Sequence, residues 1–355
     1  MRAHAALLAL LAVVPSVARA QSLVVVGDSY HALVSPLVTA EDGAVVVLGL
    51  DGTQASVGVR TDAAGESQIA GPDRTFLADA TACGGTRWLV EYEHAATRDR
   101  WRVRRDGGEV VWQRSVGSGE RMPRVAVRCA SGTPWIGWLD RGELVLSTLP
   151  TLHPQRTGML DSSGLGDVSW VALSPTVVVA LNRAYGSSVS PELVRIEQGV
   201  VTHRRSLVGA SDLIAAGAHV LVSTRDTGSA HTLAIRVLSG ADLSEHAMAL
   251  LTPSAPSRRV VSVGGWVRAD GRIALGVSES WFEGWRRVPG GSSASDAPAE
   301  HDATSLRMFD PTTGGVGPSL DVAALSVHGA WVADTLVLVV SRTLGVSIQR
   351  FRLVP

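Results

Sequence analysis

Between Arg124 and Thr157 three apolar runs follow one another closely: Val125-Ala126-Val127, Trp135-Ile136-Gly137-Trp138-Leu139 and Leu144-Val145-Leu146. Ser131-Gly132 turns the chain after the first and Asp140-Arg141-Gly142 after the second. Three runs in about 25 residues are too short to carry a helical period and read instead as up-and-down antiparallel strands. The same signature returns along the whole chain. Taking the third run of each copy as a ruler, its markers are Val57, Trp101, Leu144, Leu193, Leu233, Leu306 and Ile348, with gaps of 44, 43, 49, 40, 73 and 42 residues.

Five of those gaps match the length of one four-stranded blade of a β-propeller, about 40–50 residues, and the sixth contains an insertion. The sequence therefore predicts an all-β, seven-bladed propeller of antiparallel blades. A ring of this kind lets a chain of 355 residues avoid splitting into separate cores, because each unit packs only on its neighbours. A small residue ends the first strand of each copy (Ala40, Cys83, Cys129, Ala172, Ala215, Ala269, Ala333). Glu109–Arg114, Val200–Ser206 and Leu243–Leu250 fill the outer, fourth position. The chain ends on a third strand, Ile348–Leu353, and opens with one strand too many, Leu23–Val26. The simplest repair puts the N-terminal strand beside the last one, which closes the ring and hides two exposed edges. The irregular stretch 281–303 lies in the sixth unit: aromatic and basic at Trp281–Arg287, then rich in Gly, Ser and Pro, it reads as a flexible insertion.

Met1–Ala20 has the basic start, apolar run and Ala18-Arg19-Ala20 cleavage site of a secretory signal peptide. Residues 21–355 are then expected to be a single propeller domain, exported to the periplasm or the extracellular space. Gln21 is not the cysteine that lipoprotein processing requires, and no later run is long enough for a membrane-spanning helix. Without Arg2 and Arg19 there remain 30 basic and 33 acidic residues, a formal charge of −3, which implies no nucleic-acid or anionic-membrane partner. Every basic residue is arginine, so Schiff-base lysines, serine–lysine dyads and the phosphate-binding P-loop are excluded. Cys83 and Cys129, the two cysteines of the chain, occupy equivalent places in neighbouring units and are expected to form a disulfide in an oxidising compartment.

In a propeller the loops joining strand two to three, and strand four to the next strand one, share a face where ligands usually bind. Arg141, Arg183, Arg225 and Arg342 follow the second strand in four units and are placed to form a partial guanidinium ring for a carboxylate or phosphate; the alternative is four solvated turn charges. Trp281, Trp285 and Arg286 are candidates for binding a sugar, peptide or protein, or else anchor the insertion. Gly27–His31 is expected on the same face, adding Asp28 and His31 as candidates. The histidines show no metal-binding spacing, and neither metal nor cofactor is expected.

Ser22–Ala32 resembles the opening block of the Gly-Asp-Ser (SGNH) esterases. The later blocks of that family have no counterpart: the asparagine Asn182 stands in Leu-Asn-Arg, and Leu325 lies three residues before His328. Gly27-Asp28-Ser29 is therefore read as a turn. Arg104–Trp112 and Phe309–Val316, each an Asp, a glycine turn and a strand, resemble pyrroloquinoline-quinone-type propeller repeats. That family includes quinone dehydrogenases and non-enzymatic envelope scaffolds, and the resemblance implies architecture without a cofactor. The function expected is a monomeric, exported binding or scaffold propeller with a protein or glycan ligand on the face carrying the Trp281 insertion. The alternative is a propeller enzyme, a glycan hydrolase or lyase or a quinone-dependent oxidoreductase, with its site at the tunnel mouth.

Overall fold

The computed structural model describes residues 22–41, 44–50, 56–62, 64–70, 76–94, 98–105, 108–117, 124–160, 168–183, 191–225, 231–287, 296–322, 327–342 and 345–354. They form seven four-stranded antiparallel sheets arranged as the blades of a β-propeller. Blade one is β2 (Val34–Glu41), β3 (Ala44–Leu50), β4 (Ser56–Asp62) and β5 (Gly65–Ala70). Blade two is β6 (Phe76–Cys83), β7 (Thr86–Glu93), β8 (Arg98–Arg105) and β9 (Val110–Gly117). Blade three is β10 (Ala126–Ala130), β11 (Thr133–Asp140), β12 (Glu143–Thr148) and β13 (Gln155–Leu160), and blade four is β14 (Val168–Ala172), β15 (Val177–Asn182), β16 (Glu192–Glu197) and β17 (Val200–Ser206). Blade five is β18 (Ala210–Ala216), β19 (His219–Arg225), β20 (Leu233–Ser239) and β21 (Glu245–Leu251), and blade six is β22 (Arg259–Val267), β23 (Ile273–Arg287), β24 (Asp296–Asp310) and β25 (Gly315–Val322). Blade seven is β26 (Val327–Val332), β27 (Thr335–Arg342) and β28 (Gly345–Val354), with β1 (Ser22–His31) as its outer strand.

Each first strand abuts the first strand of the next blade, and β26 returns against β2, so the inner wall is continuous. All seven ruler residues lie in third strands. β1 runs antiparallel to β28 from Ser22↔Val354 to His31↔Val346, with a bulge at Val26. Gly27-Asp28-Ser29 is thus strand and not the turn its composition suggests, because the ladder with β28 supplies the backbone partners a turn would otherwise provide.

The core is a set of layers between blades. Leu221, Leu233 and Ile235 of blade five meet Val263, Leu275 and Phe309 of blade six; Val90, Trp101 and Val103 of blade two meet Val127, Ile136 and Trp138 of blade three. Leu23 of β1 enters the layer between blades six and seven beside Leu306, Met308 and Phe351. Alternation explains the layout: residues of one parity along a strand face the preceding blade and those of the other face the next.

One layer depends on a missing side chain. A Cβ on Gly137 of β11 would sit 2.5–2.6 Å from the Trp170 ring of blade four. Gly137→Ala is expected to cost about 1–3 kcal/mol, as overpacking of a filled core does. A urea-unfolding cycle pairing it with Trp170→Leu should give a coupling energy of at least about 0.5 kcal/mol; additive effects would show that the ring relocates freely.

Candidate functional site

Two regions stand out, one on each face of the ring. On the face of the two-to-three loops, β23 and β24 are each 15 residues long, whereas every other strand has 5 to 10. Their extra length continues the blade as a two-stranded ribbon, paired as Trp281↔His301, Phe282↔Glu300, Trp285↔Pro298, Arg286↔Ala297 and Arg287↔Asp296. The stretch expected as a flexible insertion is therefore strand on both sides, and residues 288–295 lie outside the described residues. Among the described residues β22 stops at Arg259↔Ser280 and β25 at Thr304↔Val322. Beyond those points no further strand flanks the ribbon among the described residues.

The base of the ribbon is fixed by a buried carboxylate. Glu279, 2% exposed at its side chain, lies 3.6 Å from Arg258 and 3.4 Å from Arg307. It also accepts hydrogen bonds from the Ser254 hydroxyl at 2.6 Å and the Ser254 amide at 3.0 Å. The Arg258 guanidinium stacks 4.1 Å over the Trp281 ring. One face of Trp281 is thus taken by an intramolecular cation–π contact. The neighbouring Phe282 is 51% exposed. Strand alternation turns it the other way, a signal that the expectation of a flexible insertion hides.

The remaining candidates divide. Arg141 lies at the exposed β11–β12 turn with φ of 55°, and Arg183, Arg225 and Arg342 at the ends of β15, β19 and β27, all on this face. Arg183 donates to the Ser211 carbonyl of blade five at 3.3 Å. Asp140, beside Arg141 in sequence, is engaged by Arg114 at 2.8 Å and by Arg156. Burial pushes its carboxyl up, but those two guanidinium groups outweigh that and hold it below the usual range.

Asp28 and His31 are on β1, not in a ligand-facing loop. Asp28 accepts from the Ser347 hydroxyl of β28. His31 Nε2 lies 2.8 Å from Glu66 of blade one, which also accepts from the Ser29 hydroxyl at 2.6 Å and from Arg350. Burial raises the Glu66 pKa, yet the Ser29 and His31 hydrogen bonds and the Arg350 charge together bring it below the ordinary value. These groups clamp blade seven to blade one. Ser29 gives its proton to a carboxylate and not to a histidine, so this is no esterase triad.

The second region is a cleft of about 890 Å³. It is lined by the one-to-two turns of blades six and seven and the three-to-four turn of blade one, hence on the face opposite the ribbon. Arg268, Arg272, Arg350 and Arg352 line it together with Asp62 and Asp334. Sequence reasoning missed all four arginines as a group, since they belong to two blades and follow no spacing rule. Among the described residues no group of three or more His, Cys, Asp or Glu is arranged to hold a metal ion.

No protein-family model matches the chain and no functionally curated protein is similar enough in sequence to match it. Solved structures do resemble it. The β-propeller domain of the Trilobed protease from Pyrococcus furiosus superposes with a TM-score of 0.56 at 9% identity, over 91% of this chain and 96% of that one. The uncharacterized protein lmo1340 from Listeria monocytogenes EGD-e gives 0.50 at 9% identity, over 85% and 91%. A europium-containing methanol dehydrogenase gives 0.45 at 7%, over 89% and 77%. The class defined is the seven-bladed β-propeller, and at these identities no site residue transfers. The Pyrococcus domain is described as having an open velcro topology; here β1 and β28 pair along their whole length.

Proposed function

We propose that this chain is an exported binding propeller that holds a protein partner along the blade-six ribbon. The observation that carries the reading is the pair of 15-residue strands, which overrun their blade and leave backbone donors and acceptors unpaired on two edges among the described residues. Such an edge is a template for an added strand. The two edges differ: 296–302 bears Asp296, Pro298, Glu300 and Asp302, while 281–287 bears Trp281, Phe282, Trp285, Arg286 and Arg287. Proline lacks an amide donor and a row of acids discourages pairing, so the aromatic and basic edge is the one left available. Its half-exposed Phe282 offers an apolar anchor beside arginines, the residue types that dominate interface energetics. The Cys83–Cys129 disulfide supports an oxidising, exported setting.

A photo-cross-linking residue placed at Phe282 of the full-length protein in its native cells tests the reading. A discrete adduct at 282, absent when the same residue replaces Val200 of blade four's outer strand (64% exposed), is the expected result. Equal adducts at both positions, or none at 282, would refute it.

A further inference from the structure

The cleft on the opposite face is independent of the ribbon, and its lining is chemically two-sided. One side is cationic: four guanidinium groups against the carboxylates of Asp62 and Asp334. Arg268 is held by Asp334 and lies 5.7 Å over the Trp331 ring, with its side chain 19% exposed. Arg350 is held by Glu66, which reaches it from blade one. Those two are fixed in direction before any ligand arrives. Arg352, exposed on β28, makes no ion pair or side-chain hydrogen bond among the described residues. A guanidinium presents a planar fork of donors matched to carboxylate, phosphate or sulfate.

The other side is apolar. Val26, Val332, Ala333, Val337 and Leu353 complete the wall. Val26 is the bulged residue of β1, skipped by the ladder between Val25 and Gly27, and 48% exposed. A β-branched side chain left this open beside a concave surface is area that an apolar ligand would remove from water. A volume of about 890 Å³ exceeds what a single inorganic ion fills and falls within the range of small-molecule sites, roughly 300–1,000 Å³.

We propose that this cleft binds an amphiphilic organic anion, a carboxylate, phosphate or sulfate on an apolar body, with Arg352 and Arg268 taking the charged head and Val26, Val332 and Leu353 the body. The cleft needs β1 in place, since Val26 is on that strand and the Glu66 clamp on Arg350 is shared with Ser29 and His31. Binding is therefore a property of the closed ring.

Isothermal titration of the full mature chain with octyl phosphate, decanoate and the neutral octyl glucoside, each below its micelle concentration, provides the test. Saturable binding of the two anions without the glucoside is expected. Arg352→Ala should weaken octyl phosphate by at least about tenfold, the scale of losing a charge-assisted pair of hydrogen bonds. Val26→Asp should weaken it comparably by placing a like charge at the ligand, with circular dichroism confirming that both variants stay folded. Sedimentation with phosphatidylglycerol vesicles separates the sources. Retention that Arg352→Glu abolishes assigns the head to a lipid, and binding of the soluble anions without retention assigns it to a free molecule. Octyl glucoside binding as tightly as octyl phosphate, unchanged affinity in both variants, or no saturable binding of either anion would overturn the proposal.

Discussion

Deleting Ser22–Val26 is expected to lower the midpoint of thermal unfolding by roughly 6–8 °C, taking about 1.5 °C per kcal/mol for a chain of this size. The strand contributes through three routes. Leu23, 6% exposed, fills the layer between blades six and seven with Phe351 and Leu306, and burying such a side chain is worth about 1.5–3 kcal/mol. The ladder from Ser22↔Val354 to Val25↔Phe351 adds hydrogen bonds worth about 0.5–1.5 kcal/mol each. Removing the segment also bares the edge of β28, which invites association between chains. Calorimetry on the full and shortened proteins checks the result, and an unchanged midpoint would mean that β1 does not hold the ring closed. The remaining half of β1 keeps Ser29 and His31 on Glu66. Because the folded Glu66 pKa is depressed, the clamp's stabilisation is present above the unfolded value and is lost as pH falls through the lower folded one. Both proteins should therefore weaken in acid below about pH 4, and Glu66→Gln should flatten that acid limb.

The architecture was legible because short strands leave a strong imprint. A third strand must be apolar to cross the blade and a turn must follow within a few residues, so the recurrence from Val57 to Ile348 recorded the ring directly. Local composition misled wherever tertiary partners replaced local ones. Gly27-Asp28-Ser29 carries turn residues, yet Ser347 and Glu66, far away in sequence, satisfy Asp28 and Ser29. The ribbon was obscured in the same way: glycine, serine and proline between Pro289 and Pro298 broke the alternation that Trp281 and Phe282 begin.

The two sites differ in how far a sequence can reveal them. An insertion between two strands of one blade is visible as a gap of 73 residues where its neighbours measure 40 and 42, so the ribbon could be located even though its conformation could not. The cleft is assembled from turns of blades six, seven and one and from strands at opposite ends of the chain. Val26 and Arg350 become neighbours through ring closure alone. No periodicity links them, and their chemistry emerges only once β1 lies on β28.

Replacing both Cys83 and Cys129 by alanine is expected to lower the unfolding free energy by about 4 kcal/mol, the chain-entropy value for their separation of 46 residues. Alanine fits, for it stands at the equivalent place in blades one and four as Ala40 and Ala172. The bridge, with its Cα atoms 5.4 Å apart, joins blades two and three, already linked by a layer that includes Trp88, Trp101 and Trp138. Asp79 reinforces that junction by accepting from the Val127 amide at 3.0 Å and from Arg128 at 2.7 Å. Between blades one and two, Val46, Leu48 and Leu89 are buried, with Ile69, Leu77 and Ala80 packed against them. In the chain-entropy account the bridge acts by restricting the unfolded chain, so local opening of blade one, read by amide hydrogen exchange, should be the same with and without the bridge while global unfolding shifts. Reducing agent should bring the wild-type midpoint down to that of the double variant and leave the variant unmoved; equal midpoints of wild type and variant under oxidising conditions would show that the bridge carries no stability.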